Sequence, residues 1–187
     1  MSPGALVRLA LLGEGLLAVV ALAWLWWRDL PLVWGSAVEG IIVGCGAAGV
    51  LAAANLYLLR WAPELPGVRS VRRLYRDALL PLFGRVSGTQ IAIISLAAGA
   101  GEELLFRGAV QPELGLIPAS VIFGLLHMGG RGTLAFGCWA MVMGAALGGL
   151  AIWTEGLVAP IVAHAVYDAA AMSYIRWGRW STGVGLE

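Results

Sequence analysis

The stretch Ala97–Gly108, AAGAGEELLFRG, decides how the chain is read. It lies in a long apolar run, yet it carries two adjacent glutamates, Glu102 and Glu103, and an arginine, Arg107. Apolar runs of about 20 residues recur on both sides of it, the length an α-helix needs to cross the hydrocarbon of a bilayer. The 187 residues are 60% hydrophobic and 12% charged, where a soluble domain carries roughly 25% charged residues. The fold class is therefore all-α, a polytopic transmembrane helical bundle. In such a bundle an ionisable side chain is costly, faces inward and marks a functional candidate.

Six spans are predicted, over residues 5–27, 34–59, 88–110, 114–128, 133–153 and 156–175. The fourth is short for a full crossing, at about 22 Å for 1.5 Å per residue. The first run ends in WLWWRD without a small-residue cleavage site, so it reads as a retained span. The chain is expected to form one integral-membrane domain, 1–187. Residues 1–87 hold two spans and a basic linker, 88–175 a core, and 176–187 a cytoplasmic tail.

The arginines set the orientation. With both termini in the cytoplasm, Arg8, Arg60, Arg69, Arg72, Arg73, Arg76, Arg85, Arg131, Arg176 and Arg179 fall inside, and only Arg28 and Arg107 outside. Trp24, Trp26, Trp27, Trp34 and Trp153 then mark the outer boundary, and Trp61, Trp177 and Trp180 the inner one. Every basic residue is Arg, which with the Ala and Gly richness points to a GC-rich bacterial genome and hence to a bacterial cytoplasmic membrane. Between spans 2 and 3, VRSVRRLYRDALLPLFGR puts Val68, Val71, Leu74 and Leu79 near one helical face and Arg69, Arg72, Arg73 and Arg76 largely on another. That pattern fits an interfacial helix on anionic headgroups, or a basic loop that sets topology. A net charge of +1 implies no nucleic-acid partner. Cys45 and Cys138 read as buried inert thiols. Gly40 and Gly44, and Gly144 and Gly148, are expected to pack helices closely within the chain.

The polar residues of the spans form three groups. The third span carries Glu102, Glu103 and Arg107, the fourth Phe123 and His127, and the sixth His164 and Asp168. Those two histidines are the only ones in the chain. Glu103 and Arg107 are four apart and can pair on one helix face, which lowers the cost of burying both. Glu102 is turned about 100° away and needs another partner. Asp168, four residues after His164, can fix the tautomer of that ring, and Phe123 can wall the pocket of His127. Glu39 lies near the outer boundary and reads as solvated. Glu14, between two glycines in the first span, has no role that the sequence explains.

A spare glutamate and two histidines suggest hydrolysis, with Glu102 and His127 holding a water, Glu102 taking its proton, and His164 donating to the oxyanion. Counted from a turn near residue 111, Glu102 and His127 lie at different depths, and Pro112 and Pro118 permit a kink that closes the gap. Two other readings stay open. Glu102, His127 and His164 are an acceptable zinc ligand set, although HExxH is absent and the general base would then be unassigned. A non-enzymatic scaffold or a proton-coupled transporter can use the same residues as a relay.

EELLFR (102–107), FGLLH (123–127) and HAVYD (164–168) resemble, in order, the EExxxR, FxxxH and Hxxx(N/D) motifs of the CPBP family. That family comprises CAAX prenyl endoproteases and bacteriocin-processing enzymes, which are intramembrane glutamate proteases. The resemblance covers about residues 88–175. It implies that Glu102 and His127 activate the water without a metal cofactor, that His164 serves the oxyanion hole, and that Glu103 and Arg107 support them. Asp168 falls where the eukaryotic prenyl protease has asparagine, and an ionised carboxylate cannot donate as an amide does. The implied partner is an unmodified or lipidated peptide at the bilayer.

Overall fold

The computed structural model describes residues 1–178 and is built from seven helices, with no strand among the described residues. They are α1 (Pro3–Arg28), α2 (Ala37–Arg60), α3 (Pro66–Leu74), α4 (Gly88–Leu114), α5 (Leu116–Leu126), α6 (Leu134–Trp153) and α7 (Val158–Trp177). Five of them, α1, α2, α4, α6 and α7, are long and apolar enough to cross a membrane. The fourth predicted span is instead the 11-residue helix α5, about 16 Å long at 1.5 Å per residue and too short to cross. The predicted tail beyond Gly178, with Arg179 and Trp180, lies outside the described residues, as does the side chain of Arg131.

Local chemistry sets the helix starts. Ser2, Ser36 and Ser87 each accept a backbone N–H in the first turn of α1, α2 and α4, and at α4 Gln90 returns a bond to the backbone of Ser87. These caps satisfy donors that a bilayer would leave unpaired. The apolar side chains that face outward, such as Leu12, Leu16 and Val19 on α1 and Ile42 and Val50 on α2, are normal for a protein whose solvent is lipid.

Helix α7 is the central strut, flanked by α2, α4 and α6, while α5 lies on α6 and α1 on α4. Small residues let these helices approach. A Cβ on Gly40 would meet Val158 at 2.7 Å, and one on Gly44 would meet the Ala159 carbonyl at 2.7 Å. Gly144 stands over Ser120, and Gly148 makes room for Gln111. Both glycine pairs thus serve packing within the chain. Cys45 and Cys138 are free and exposed rather than buried, because the glycine beside each, Gly44 and Gly137, takes the packed face.

The basic linker is helical. Val71 and Tyr75 bury against Leu59 and Ile175, and Asn55 donates to the Tyr75 hydroxyl at 3.0 Å. Arg69, Arg73 and Arg76 are exposed. Arg72 is not on that free face: it donates to the carbonyls of Leu58 and Ala62 and pairs with Glu64, closing the C-terminal end of α2. Ser70 bonds the Gly132 carbonyl, and Arg176 bonds that of Val86, so one end of the bundle collects the linker and most of the arginines. The other end is tied by Arg28 to Glu113 and by backbone bonds from Leu157 and Val158 to Val33 and Trp34.

Candidate active site

The motif EELLFR straddles a change in helix type. Regular α-helix ends at Glu103, and Leu104–Val110 is π-helical, with wider turns. Such segments occur often at functional sites. The chain then stays helical through Pro112 and reverses at Gly115, not near residue 111. Gly115 has φ 88°, a conformation that side chains with a Cβ rarely adopt. Counted from Gly115, Glu102 is 13 residues back and His127 is 12 residues ahead, about 20 Å and 18 Å at helical rise, so the two reach similar depth. The short α5 is what matches the arms.

Glu103 is fully buried and holds two partners on the same oxygen. Its Oε1 accepts from Arg107 Nη1 at 2.9 Å and from His164 Nδ1 at 2.6 Å. Arg107, also buried, gives its Nη2 to the Gly144 carbonyl at 2.8 Å, tying the pair to α6. The expected orienter of His164 was Asp168, but His164 Nε2 and Asp168 Oδ2 stand 3.7 Å apart, beyond hydrogen-bond range. Glu103 orients the ring instead, from another helix. A carboxylate reaching across from α4 meets Nδ1 in line, whereas the partner one turn along α7 faces the opposite edge.

His127 Nδ1 lies 2.7 Å from the Phe123 carbonyl oxygen. A carbonyl only accepts, so Nδ1 carries the proton and Nε2 of the neutral ring is left with its lone pair. Phe123 sits between the histidines, 4.6 Å from the His127 ring and 6.2 Å from that of His164, and the Arg107 guanidinium lies 4.9 Å from its centroid. Phe123, His127, His164 and Asp168 share the walls of one cavity of about 70 Å³, completed by Phe136, Trp139, Ala140, Met143, Leu147 and Tyr167. Water takes roughly 30 Å³ in the liquid, so the space suits solvent rather than a peptide.

Glu102 is not in the wall of that cavity. Its carboxylate lies within electrostatic reach of His164, His127, Asp168 and Glu103, and its Oε2 is buried with no hydrogen-bond partner. Phe123 and the three cavity-lining groups are thus brought together directly, and Glu102 adjoins them. A larger cavity, about 520 Å³, lies at the other end of the bundle; its mostly apolar walls include Arg107, Gln111 and Glu155 but none of Glu102, His127, His164 and Asp168. Among the described residues no three His, Cys, Asp or Glu side chains are arranged to hold a metal ion.

The sequence left three nearby residues unassigned. Trp139 donates from Nε1 to the Tyr167 hydroxyl at 3.0 Å, bracing α6 on α7 beside the cavity. Polar aromatics facing each other in adjacent spans were the available signal. Glu14 of α1 also reaches this region, within electrostatic range of Glu102, His164 and Asp168.

A buried histidine on α7 and a half-buried one just after α5, each oriented by a hydrogen bond and lining one small cavity in an apolar bundle, define the class: a helical membrane protein with ionisable residues gathered around an internal cavity. Residues 84–170 match the family model described as Type II CAAX prenyl endopeptidase Rce1-like. The chain is also 28% identical over 152 residues to the uncharacterized protein YpbD of Bacillus subtilis, across 80% of this chain and 72% of that protein. No solved structure matches the chain. The family-model match takes in EELLFR, FGLLH and HAVYD, all three motifs.

Proposed function

We propose that the protein is an intramembrane endopeptidase of the glutamate type. The family match supports a CAAX-type membrane protease. The observation that carries the finer reading is the meeting of His127, His164 and Asp168 on one small cavity, beside a Glu102 carboxylate whose buried Oε2 has no hydrogen-bond donor.

In this scheme the Nε2 lone pair of His127 and the carboxylate of Glu102 hold a water. Glu102 takes a proton as the water oxygen bonds to the scissile carbonyl carbon. His164 faces the developing oxyanion. Its Nδ1 is engaged by Glu103, so a donor at Nε2 requires the doubly protonated ring, with Glu103 and Asp168 on its two sides. Asp168 then acts as a counter-ion to the ring, not as an amide-like donor. The proton returns to the amine nitrogen as the C–N bond breaks. The substrate is a peptide bond presented near the membrane surface. The gathering of Arg60, Arg69, Arg73, Arg76 and Arg176 toward one end supports placing that end, and both termini, on the cytoplasmic side of a bacterial inner membrane.

The test is cleavage of a quenched fluorescent peptide by the protein in lipid nanodiscs, with the peptide offered both with and without a prenylated C-terminal cysteine motif. Glu102→Gln should abolish cleavage while the melting profile stays that of the wild type. Full activity in that variant would overturn the reading.

A further inference from the structure

Glu14 is the one acidic residue of α1, and it comes from outside the region that matches the family model. Its position is fixed by a glycine. A Cβ on Gly101 would stand 2.6 Å from the Glu14 carbonyl oxygen and 2.9 Å from its Oε2, so any side chain at 101 would push α1 away. The Glu14 carboxyl therefore lies against the residue that immediately precedes Glu102. The two groups share a further property: Oε2 of Glu14 and Oε2 of Glu102 are both buried, and neither has a donor.

Buried carboxylate oxygens without donors are costly. The charged groups acting on the pair are Glu103 on α4 and His164 and Asp168 on α7, together with His127 after α5. Arg107, which pairs with the neighbouring Glu103, is also engaged by the Gly144 carbonyl. No three-ligand group that could hold a cation is formed among the described residues. A proton held between the two carboxyl groups would satisfy both, as in other carboxyl pairs that share one site.

We propose that Glu14 is a positioning residue for Glu102, the two carboxyl groups sharing one proton and so fixing the direction of the Glu102 lone pair that receives the proton of water. The catalytic half of this statement rests on the function proposed above. The pair begins with one proton and one negative charge. It takes up the water's proton as the new C–O bond forms and releases it to the amine nitrogen as the C–N bond breaks, so the pair ends as it began.

Infrared difference spectroscopy on the full protein in nanodiscs reads the pair without any substrate. Wild type should show a protonated-carboxyl C=O stretching component at neutral pH that disappears in Glu14→Gln and also in Glu102→Gln, since each amide supplies the missing donor to the carboxylate left behind. Asp168→Asn should leave that component in place. In the cleavage assay, Glu14→Gln should lower kcat by about tenfold with KM within about twofold, and Glu14→Asp should recover most of the loss. A spectrum in which Glu14→Gln removes no carboxyl component overturns the shared proton, whatever the cleavage assay shows. A Glu14→Gln enzyme with wild-type kcat, measured beside an inactive Glu102→Gln, overturns the positioning role while leaving the proposed function intact.

Discussion

Helices α1 and α4 lie side by side and are built to different rules. Only 11% of the most apolar window of α1 is buried, against 44% for α4. The first is a lipid-facing wall whose side chains are exchangeable within the apolar class. The second carries the ion pair, the π-helical segment and the carboxylate beside the cavity. Yet the wall contributes Glu14, and its contact with α4 passes through Gly101. Burial averaged over a helix therefore says little about where its one consequential residue sits.

Five substitutions sharpen that contrast. The largest effect is expected at Glu102→Gln and at His127→Ala, with kcat reduced by about 10³-fold in the peptide assay. Next comes Arg107→Met, which leaves Glu103 without its cation in a fully buried place. A loss of about 3–5 kcal/mol is expected, read as a lowered melting temperature in nanodiscs, with activity falling too because Glu103 no longer holds His164 steadily. Gly44→Leu should cost about 1–3 kcal/mol by forcing α2 off α7, in the same melting assay. Leu16→Ala, on the exposed face of α1, should stay within about 0.5 kcal/mol and leave cleavage unchanged. A large effect at Leu16, or none at Arg107, would dissolve the distinction between wall and core.

The sequence carried the fold class well, because apolar length and the confinement of charge are one-dimensional signals. Five long apolar helices are where five of the six spans were drawn. It carried the identity of the polar residues too, since few of them occur in apolar runs. What it could not carry was partnership across helices. His164 and Asp168 are four apart, and a one-turn spacing invites pairing. The bond that forms joins His164 to Glu103, 61 residues away. Glu14 was opaque for the same reason: its neighbour is 88 positions later in the chain. The turn lies later than expected because proline reads as a breaker, whereas Pro112 falls in the last turn of α4, directly after the π-helical segment, and the chain stays helical to Leu114. Arg72 was assigned to the solvated face because helical angle alone cannot show that the frayed end of another helix lies within its reach.

The reversal at Gly115 makes the two limbs beside it a pair of calipers. Each limb sets one jaw, Glu102 on the first and His127 on the second. One residue inserted into either limb would slide a jaw by about 1.5 Å along the membrane normal and swing it by about 100°. Length between the jaws is thus a stricter specification than the identity of the apolar residues that fill it, and insertions there should be far less tolerated than substitutions.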